Sequence, residues 1–206
     1  MNSRTHGFTL PELMITLALA AVILGIGAPS FQQFRLNNRL SNTANDLLSV
    51  ITVARTEAIK RQRNVAVCRT DTPASTDPKC SATSTAGFIV FDDADGNCVR
   101  GAQASEPLIS ARSFDTSLTN NALRVKTDGN CLQFGPSGFR NDFGAQTLNH
   151  ISVCDDRGLG KLPGQSVSGG RGILITKTGR ARVTRAVGTG NPDDVTSADW
   201  AGVACP

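Results

Sequence analysis

Residues 13–28 of this 206-residue chain carry no charge, and the apolar character reaches back to Phe8 across a single carboxylate, Glu12. Counted over residues 8–29, the run approaches the ~20 residues that a helix needs to cross a bilayer core. An ordinary secretory signal puts basic residues first, then the apolar stretch, then a small-residue cleavage site. Here the polar leader MNSRTHG ends in glycine directly before the apolar run. Cleavage after Gly7 would keep the whole helix in the mature chain. A carboxylate in lipid is costly and by default functional, with a partner. The plain alternative is that Glu12 pairs with its own amino terminus or lies in the headgroup layer. Pro11 would fall in the first helical turn, where its missing N–H costs nothing, whereas Pro29 is expected to kink a continuing helix.

Past Pro29 the pattern stays helical to about Arg63. Leu40, Ala44, Leu47, Ile51, Ala54 and Ala58 recur at steps of four and three and form one apolar stripe. Asn38, Asn42, Asn45 and Arg55 are assigned to the opposite face. Arg55, Lys60, Arg61 and Arg63 stand near the helix end, where cations suit its dipole. A helix over residues 8–62 would be about 80 Å long at the usual rise. From residue 64 the chain changes to short β-rich runs separated by Gly, Asp, Asn and Pro: 64–70, 87–92, 107–112, 123–126, 131–135, 150–155, 172–177 and 181–186. One long helix followed by such runs indicates an α+β fold, the helix covering a mainly antiparallel β domain of one or two sheets.

The six cysteines, at 68, 80, 98, 131, 154 and 205, all lie beyond the apolar segment. An even count in an exported domain reads as disulfides. Zinc would want close cysteine pairs with histidines nearby, yet no two cysteines are closer than 12 positions and His150 is the only histidine outside the leader. Sequence alone leaves about 15 pairings open.

The opening Gly-Phe-Thr-Leu-Pro-Glu-Leu-Met, residues 7–14, resembles the class III signal of type IV pilins and type II secretion pseudopilins. That resemblance implies that a prepilin peptidase cuts between Gly7 and Phe8 and methylates the new amino terminus. It also implies that Glu12 compensates the ammonium of a neighbouring subunit in a filament. The strand spacing, "GFIVFDDADGN" read as a hairpin and the "FGPSGF" turn are similar to one branch, the GspH/FimT minor pseudopilins. The implied organisation is a leader at 1–7, a transmembrane helix at 8–30, its amphipathic continuation at 31–63 and a periplasmic, disulfide-bonded β domain at 64–206. The implied bridges are Cys68 with Cys80, Cys131 with Cys154, and Cys98 with Cys205. The implied setting is the inner membrane, with surface exposure in a pilus and other minor and major pilins as partners.

Chemistry beyond assembly is sparse. "DDADGN" at 92–97 offers oxygen ligands, but an EF-hand counted from Asp93 would need a glutamate where Ala104 stands. A turn is the better reading, since Asp-Gly is a strong hairpin signal. Neither metal nor cofactor is expected. His150, Ser152 and Cys154 read more simply as strand residues and a disulfide partner than as a catalytic array, and no phosphate-loop, nucleophile-elbow or dinucleotide pattern is present. The sharper feature is "RGILITKTGRARVTR", residues 171–185, which holds Arg171, Lys177, Arg180, Arg182 and Arg185 and no acid. A net charge of only +4 does not argue for nucleic acid by itself, so this local array carries that case. Alternation puts Arg180 and Arg182 on one face, and Gly179 permits a tight turn just before them. Paired guanidinium forks suit phosphate, although arginine also guards an ordinary strand edge. Gly-Arg-Ala-Arg at 179–182 resembles a Gly-Arg-x-Arg motif of FimT-type minor pilins that bind DNA in natural transformation. The resemblance thus implies a minor pilin that takes up double-stranded DNA without sequence preference. The alternative is a type II secretion pseudopilin with a structural tip role and no DNA binding.

Overall fold

The computed structural model describes residues 9–81, 86–102, 104–114, 122–157 and 170–185. Gly7, Phe8 and Cys205 therefore lie outside the described residues. Helix α1 spans Leu10–Arg61. The strands are β1 (Val65–Thr70), β2 (Gly87–Asp92), β3 (Leu108–Ser113), β4 (Arg124–Thr127), β5 (Cys131–Phe134), β6 (His150–Cys154), β7 (Arg171–Ile175) and β8 (Ala181–Arg185). All eight predicted strands are present, with ends displaced by two residues at most. They form two four-stranded sheets, ordered β3-β2-β1-β5 and β4-β6-β7-β8, with antiparallel pairing throughout. The fold class is α+β.

The chain divides into two compact units, Met1–Arg39 and Leu40–Pro206. In the first, the helix is apolar and bare. Leu13, Met14, Ile15, Leu17, Leu19, Val22, Ile23 and Leu24 are all more than half exposed. The helix is long and apolar enough to cross a membrane, with a window of mean hydropathy 2.1. A helix apolar all round is stable only when something other than water covers it. Glu12 is exposed in its first turn. The helical assignment continues through Pro29.

In the second unit the predicted stripe is buried: Leu40, Ala44, Leu47, Ile51, Ala54 and Ala58 are each at most 2% exposed. Leu40, Leu47, Ile51, Ala54 and Ala58 share one core with Val65, Val67, Phe88, Val90, Leu132 and Phe134 of the first sheet, and with Val125, Ile151, Val153, Ile173 and Ile175 of the second. The helix stops without glycine. Gln62 takes the left-handed conformation (φ 54°), and the Arg63 N–H reaches back to the Ala58 carbonyl at 3.3 Å, the bond pattern of a Schellman cap.

β1 and β2 are buried on both faces. With a period of two, Val65 and Val67 face the helix, while Ala66 and Cys68 join Ile89, Phe91, Cys98 and Cys131 in a second, smaller core. Loops cover that outer core, and two bridges hold it: Cys68–Cys80 as expected, and Cys98–Cys131. The second bridge corrects two expected pairings, Cys131 with Cys154 and Cys98 with Cys205. Cys131 lies on β5, opposite Cys68 in register, whereas Cys154 lies on β6 in the other sheet. Cys154 is itself disulfide-bonded.

The "GFIVFDDADGN" hairpin needs a second correction. β2 does pair with β3, but residues 93–107 form a long connection instead of a tight Asp-Gly turn. Asp95 and Gly96 lie inside it, with the Asp95 carboxylate accepting the Asn97 N–H at 3.0 Å.

Candidate nucleic-acid interface

The basic array sits on the hairpin of β7 and β8. Thr176 and Arg180 close its turn: the Thr176 N–H donates to the Arg180 carbonyl, and the Gly179 N–H donates to the Thr176 carbonyl, each at 2.9 Å. Gly179 has φ +77°, the left-handed position that a three-residue hairpin with a glycine bulge requires. The "FGPSGF" segment builds the same figure. The Gly135 N–H donates to the Phe139 carbonyl at 3.0 Å, the Gly138 N–H to the Gly135 carbonyl at 2.9 Å, and Gly138 has φ +75°.

These two turns lie against each other. The Arg140 N–H donates to the Lys177 carbonyl at 3.1 Å, and a Cβ added to Gly179 would collide with the Gly138 carbonyl oxygen. Arg55 of α1 braces them: its Nε donates to that same Gly138 oxygen at 3.0 Å. Arg140, only 9% exposed, donates to the Ile175 carbonyl from behind. The hairpin tip is therefore built onto the helix and the first sheet.

Its cations are presented outward. Lys177, Arg180 and Arg182 are exposed, while Ala181 and Val183 pack toward the core. Among the described residues, neither Lys177 nor Arg180 takes part in an ion pair. The acid that senses Lys177 is Asp142. Hydrogen bonds from the Thr147 hydroxyl and the Gly144 N–H hold its carboxyl below the ordinary range, with the charges of Lys177 and Arg140 adding to them.

Two members of the sequence-derived array do not join this tip. Arg171 is buried (7% exposed) and donates from Nη1 to the Gly170 carbonyl at 2.9 Å. It shares strand parity with Ile173 and Ile175, so it faces inward, and it pairs in register with Arg185 at the far end of the hairpin. The Arg185 side chain lies outside the described residues. Conversely, Arg55, expected opposite the apolar stripe, stands half-buried at the tip. Its position, four residues after Ile51 and three before Ala58, borders the buried stripe, and that periodicity is the signal that places it.

Comparison with known families settles the lineage. Residues 43–179 match the model of the family described as type II transport protein GspH. The chain belongs to the GspH family. Residues 2–28 also match the prokaryotic N-terminal methylation motif, so the apolar helix of this GspH-family chain is a membrane anchor that precedes a globular domain. Two crystal forms of the type IV minor pilin FimU of Pseudomonas aeruginosa are similar to the chain. They show 16% and 17% identity, with TM-scores of 0.41 and 0.43, over 70% and 73% of this chain and 92% of that one. No curated protein matches. Membership of the GspH family makes this a pilin-like assembly subunit of the minor pilin and pseudopilin class.

The glycine contact gives a direct test of the paired turns. Gly179→Ala is expected to lower stability by about 1–3 kcal/mol, from the left-handed backbone and the collision with Gly138. Denaturant unfolding measures it, and a neutral result would mean that the two turns separate freely.

His150 opens β6 as the strand residue that the sequence indicates. Asp128, just after β4, accepts the backbone N–H groups of Asn149 at 2.8 Å and His150 at 2.9 Å, and its Oδ2 lies 3.1 Å from His150 Nδ1. Ser152 is fully buried, so the His150–Asp128 pair serves as a brace at the strand end. Burial alone would raise the Asp128 carboxyl, but hydrogen bonds from His150 and Asn149 outweigh it and hold the group below its ordinary range. A depressed folded-state pKa stabilises above the ordinary aspartate value and is lost as pH falls through the folded value. Asp128→Asn is therefore expected to cost about 1–3 kcal/mol at pH 7 and to flatten the fall of the unfolding midpoint below about pH 4. Parallel acid limbs in thermal melts of the two proteins would contradict this.

Proposed function

We propose that this GspH-family chain is a minor type IV pilin that binds extracellular DNA through the tip of the β7–β8 hairpin, for uptake in natural transformation. The observation that carries the reading is the set of exposed cations Lys177, Arg180 and Arg182 on a turn braced from below by Arg55. The rigid turn limits the entropy lost when guanidinium groups settle on phosphate. Such contacts go to the backbone, so binding is sequence-tolerant and salt-sensitive. Phe139, 55% exposed beside the tip, is a single aromatic and falls short of a stacking platform for single strands.

In the same reading a prepilin peptidase processes the chain between Gly7 and Phe8. Residues 8–30 hold it in the inner membrane with its globular domain in the periplasm, and Glu12 meets the Phe8 ammonium of a neighbouring pilin on assembly at or near a pilus tip. A type II secretion pseudopilin without DNA binding is the second reading, favoured by the description of the matching family. Titration of the processed full chain, in detergent, into unrelated double-stranded DNA fragments at several salt concentrations separates the two. The expected result is saturable binding with a log-log salt slope of about −2 to −4, for ~3 to 4 phosphates. No binding at low salt would leave the secretion reading.

A further inference from the structure

We infer that the connection between β2 and β3 is a calcium site, with Asp93, Asp95 and Glu106 as its protein ligands. One carboxylate oxygen from each of the three lies within 4.8 Å of the others. Among the described residues, none of them forms an ion pair. Arg63 pairs with Asp92, and Arg100 pairs with Asp77 through Nη1.

The deciding atom is Asp93 Oδ1. Asp93 is 1% exposed. Its Oδ2 accepts the Cys98 N–H at 3.0 Å and a donor from the Gln133 amide, while Oδ1 is buried with no hydrogen-bond partner. A buried carboxylate oxygen left unpaired is costly, and Asp95 and Glu106 each bring a carboxylate oxygen within 4.8 Å of an oxygen of the same Asp93 group. Glu106, 3% exposed, is fixed by the Gly101 N–H. Burial, with the charges of Glu106 and Asp95 added, pushes the Asp93 carboxyl above its ordinary range despite those hydrogen bonds. A cation at this point would relieve both the unpaired oxygen and the mutual repulsion.

The donor set selects the ion. Only oxygen is offered, with neither nitrogen nor sulfur, which suits a hard cation. Calcium accepts six to eight oxygens at 2.3–2.6 Å in irregular geometry, so opposed ligands can stand nearly 5 Å apart. Magnesium demands a near-ideal octahedron at 2.0–2.1 Å and gives up its water reluctantly, so three carboxylates held in place by the fold serve it less well. Asp95 is exposed, which gives the ion an entry path and room for water ligands. The sequence test for an EF-hand fails at Ala104 because the loop supplies its glutamate two residues later, as the chain turns back toward β3. The Glu106 N–H donates to the Ala102 carbonyl at 2.9 Å in that turn.

The test uses the full chain in detergent, disulfides intact, first stripped with a chelator and then titrated with calcium chloride. Calorimetry is expected to show one saturable site. The unfolding midpoint is expected to rise by roughly 5–10 °C at a hundredfold excess over Kd, with magnesium at the same concentration giving less than half of that shift. Asp95→Asn changes an exposed side chain and is expected to keep the calcium-free midpoint while weakening binding at least tenfold. Glu106→Gln, nearly the same size, is expected to weaken calcium binding by a similar factor. Absence of binding, an equal response to magnesium, or calcium binding unchanged in both variants would each overturn the site.

Discussion

Arg180→Ala/Arg182→Ala is expected to weaken binding to double-stranded DNA by at least tenfold at low salt and to leave the unfolding midpoint unchanged. Each phosphate contact contributes about 0.9 to the log-log salt slope, so loss of two should flatten it by roughly 1.8. Both side chains are exposed, and Arg180 holds the turn through its backbone: its carbonyl accepts the Thr176 N–H. Alanine therefore removes charge without removing the brace. Arg55→Ala is a weaker diagnostic, because it also removes the hydrogen bond to Gly138. Arg171→Ala offers a contrast: a buried arginine should affect stability and leave the salt slope alone. Binding by the double variant that equals the parent at every salt concentration would remove the hairpin tip from the proposed function.

The second large effect concerns the outer core. Cys98→Ala/Cys131→Ala is expected to cost about 4 kcal/mol by the chain-entropy relation for a bridge between residues 33 apart. Cys68→Ala/Cys80→Ala, 12 apart, should cost about 3 kcal/mol on the same relation. The ordering has a structural reason as well. Cys98 ends the acidic stretch of the β2–β3 connection, and Cys131 lies on β5, so their bridge fastens a long loop to the first sheet. That bridge also keeps the Cys98 N–H on Asp93. Denaturant unfolding of the two double variants under oxidising conditions gives the comparison. A smaller loss for the longer bridge would show that the loop stays in place through its hydrogen bonds alone.

Much of the fold was legible because its signals are periodic. Steps of three and four along residues 40–58 identified the buried helix stripe, and β-branched runs between turn residues identified eight strands. Charge density likewise marked the hairpin of β7 and β8. Legibility failed wherever the answer depended on which segments meet. Arg171 and Arg182 look equivalent in a list of cations, but strand parity turns one into the core and the other out. Cys154 looks as suitable as Cys98 for Cys131 until the sheets are known, since β5 and β6 belong to different ones. Arg55 belongs to the hairpin tip only because the loop at Gly138 folds back onto the helix.

The sequence by itself determined the membrane anchor, the α+β class, the stripe on which the helix packs and the presence of disulfides. Each of these follows from local composition or from a repeat of fixed period, which physical chemistry reads without knowing distant neighbours. Tertiary structure alone decided the Cys98–Cys131 bridge, the stacking of the turns at Gly138 and Gly179, and the meeting of Glu106 with Asp93 and Asp95. Those features join residues whose separation along the chain carries no periodic signal. They arise when two sheets and a helix bury a common core and bring their loops within bonding distance.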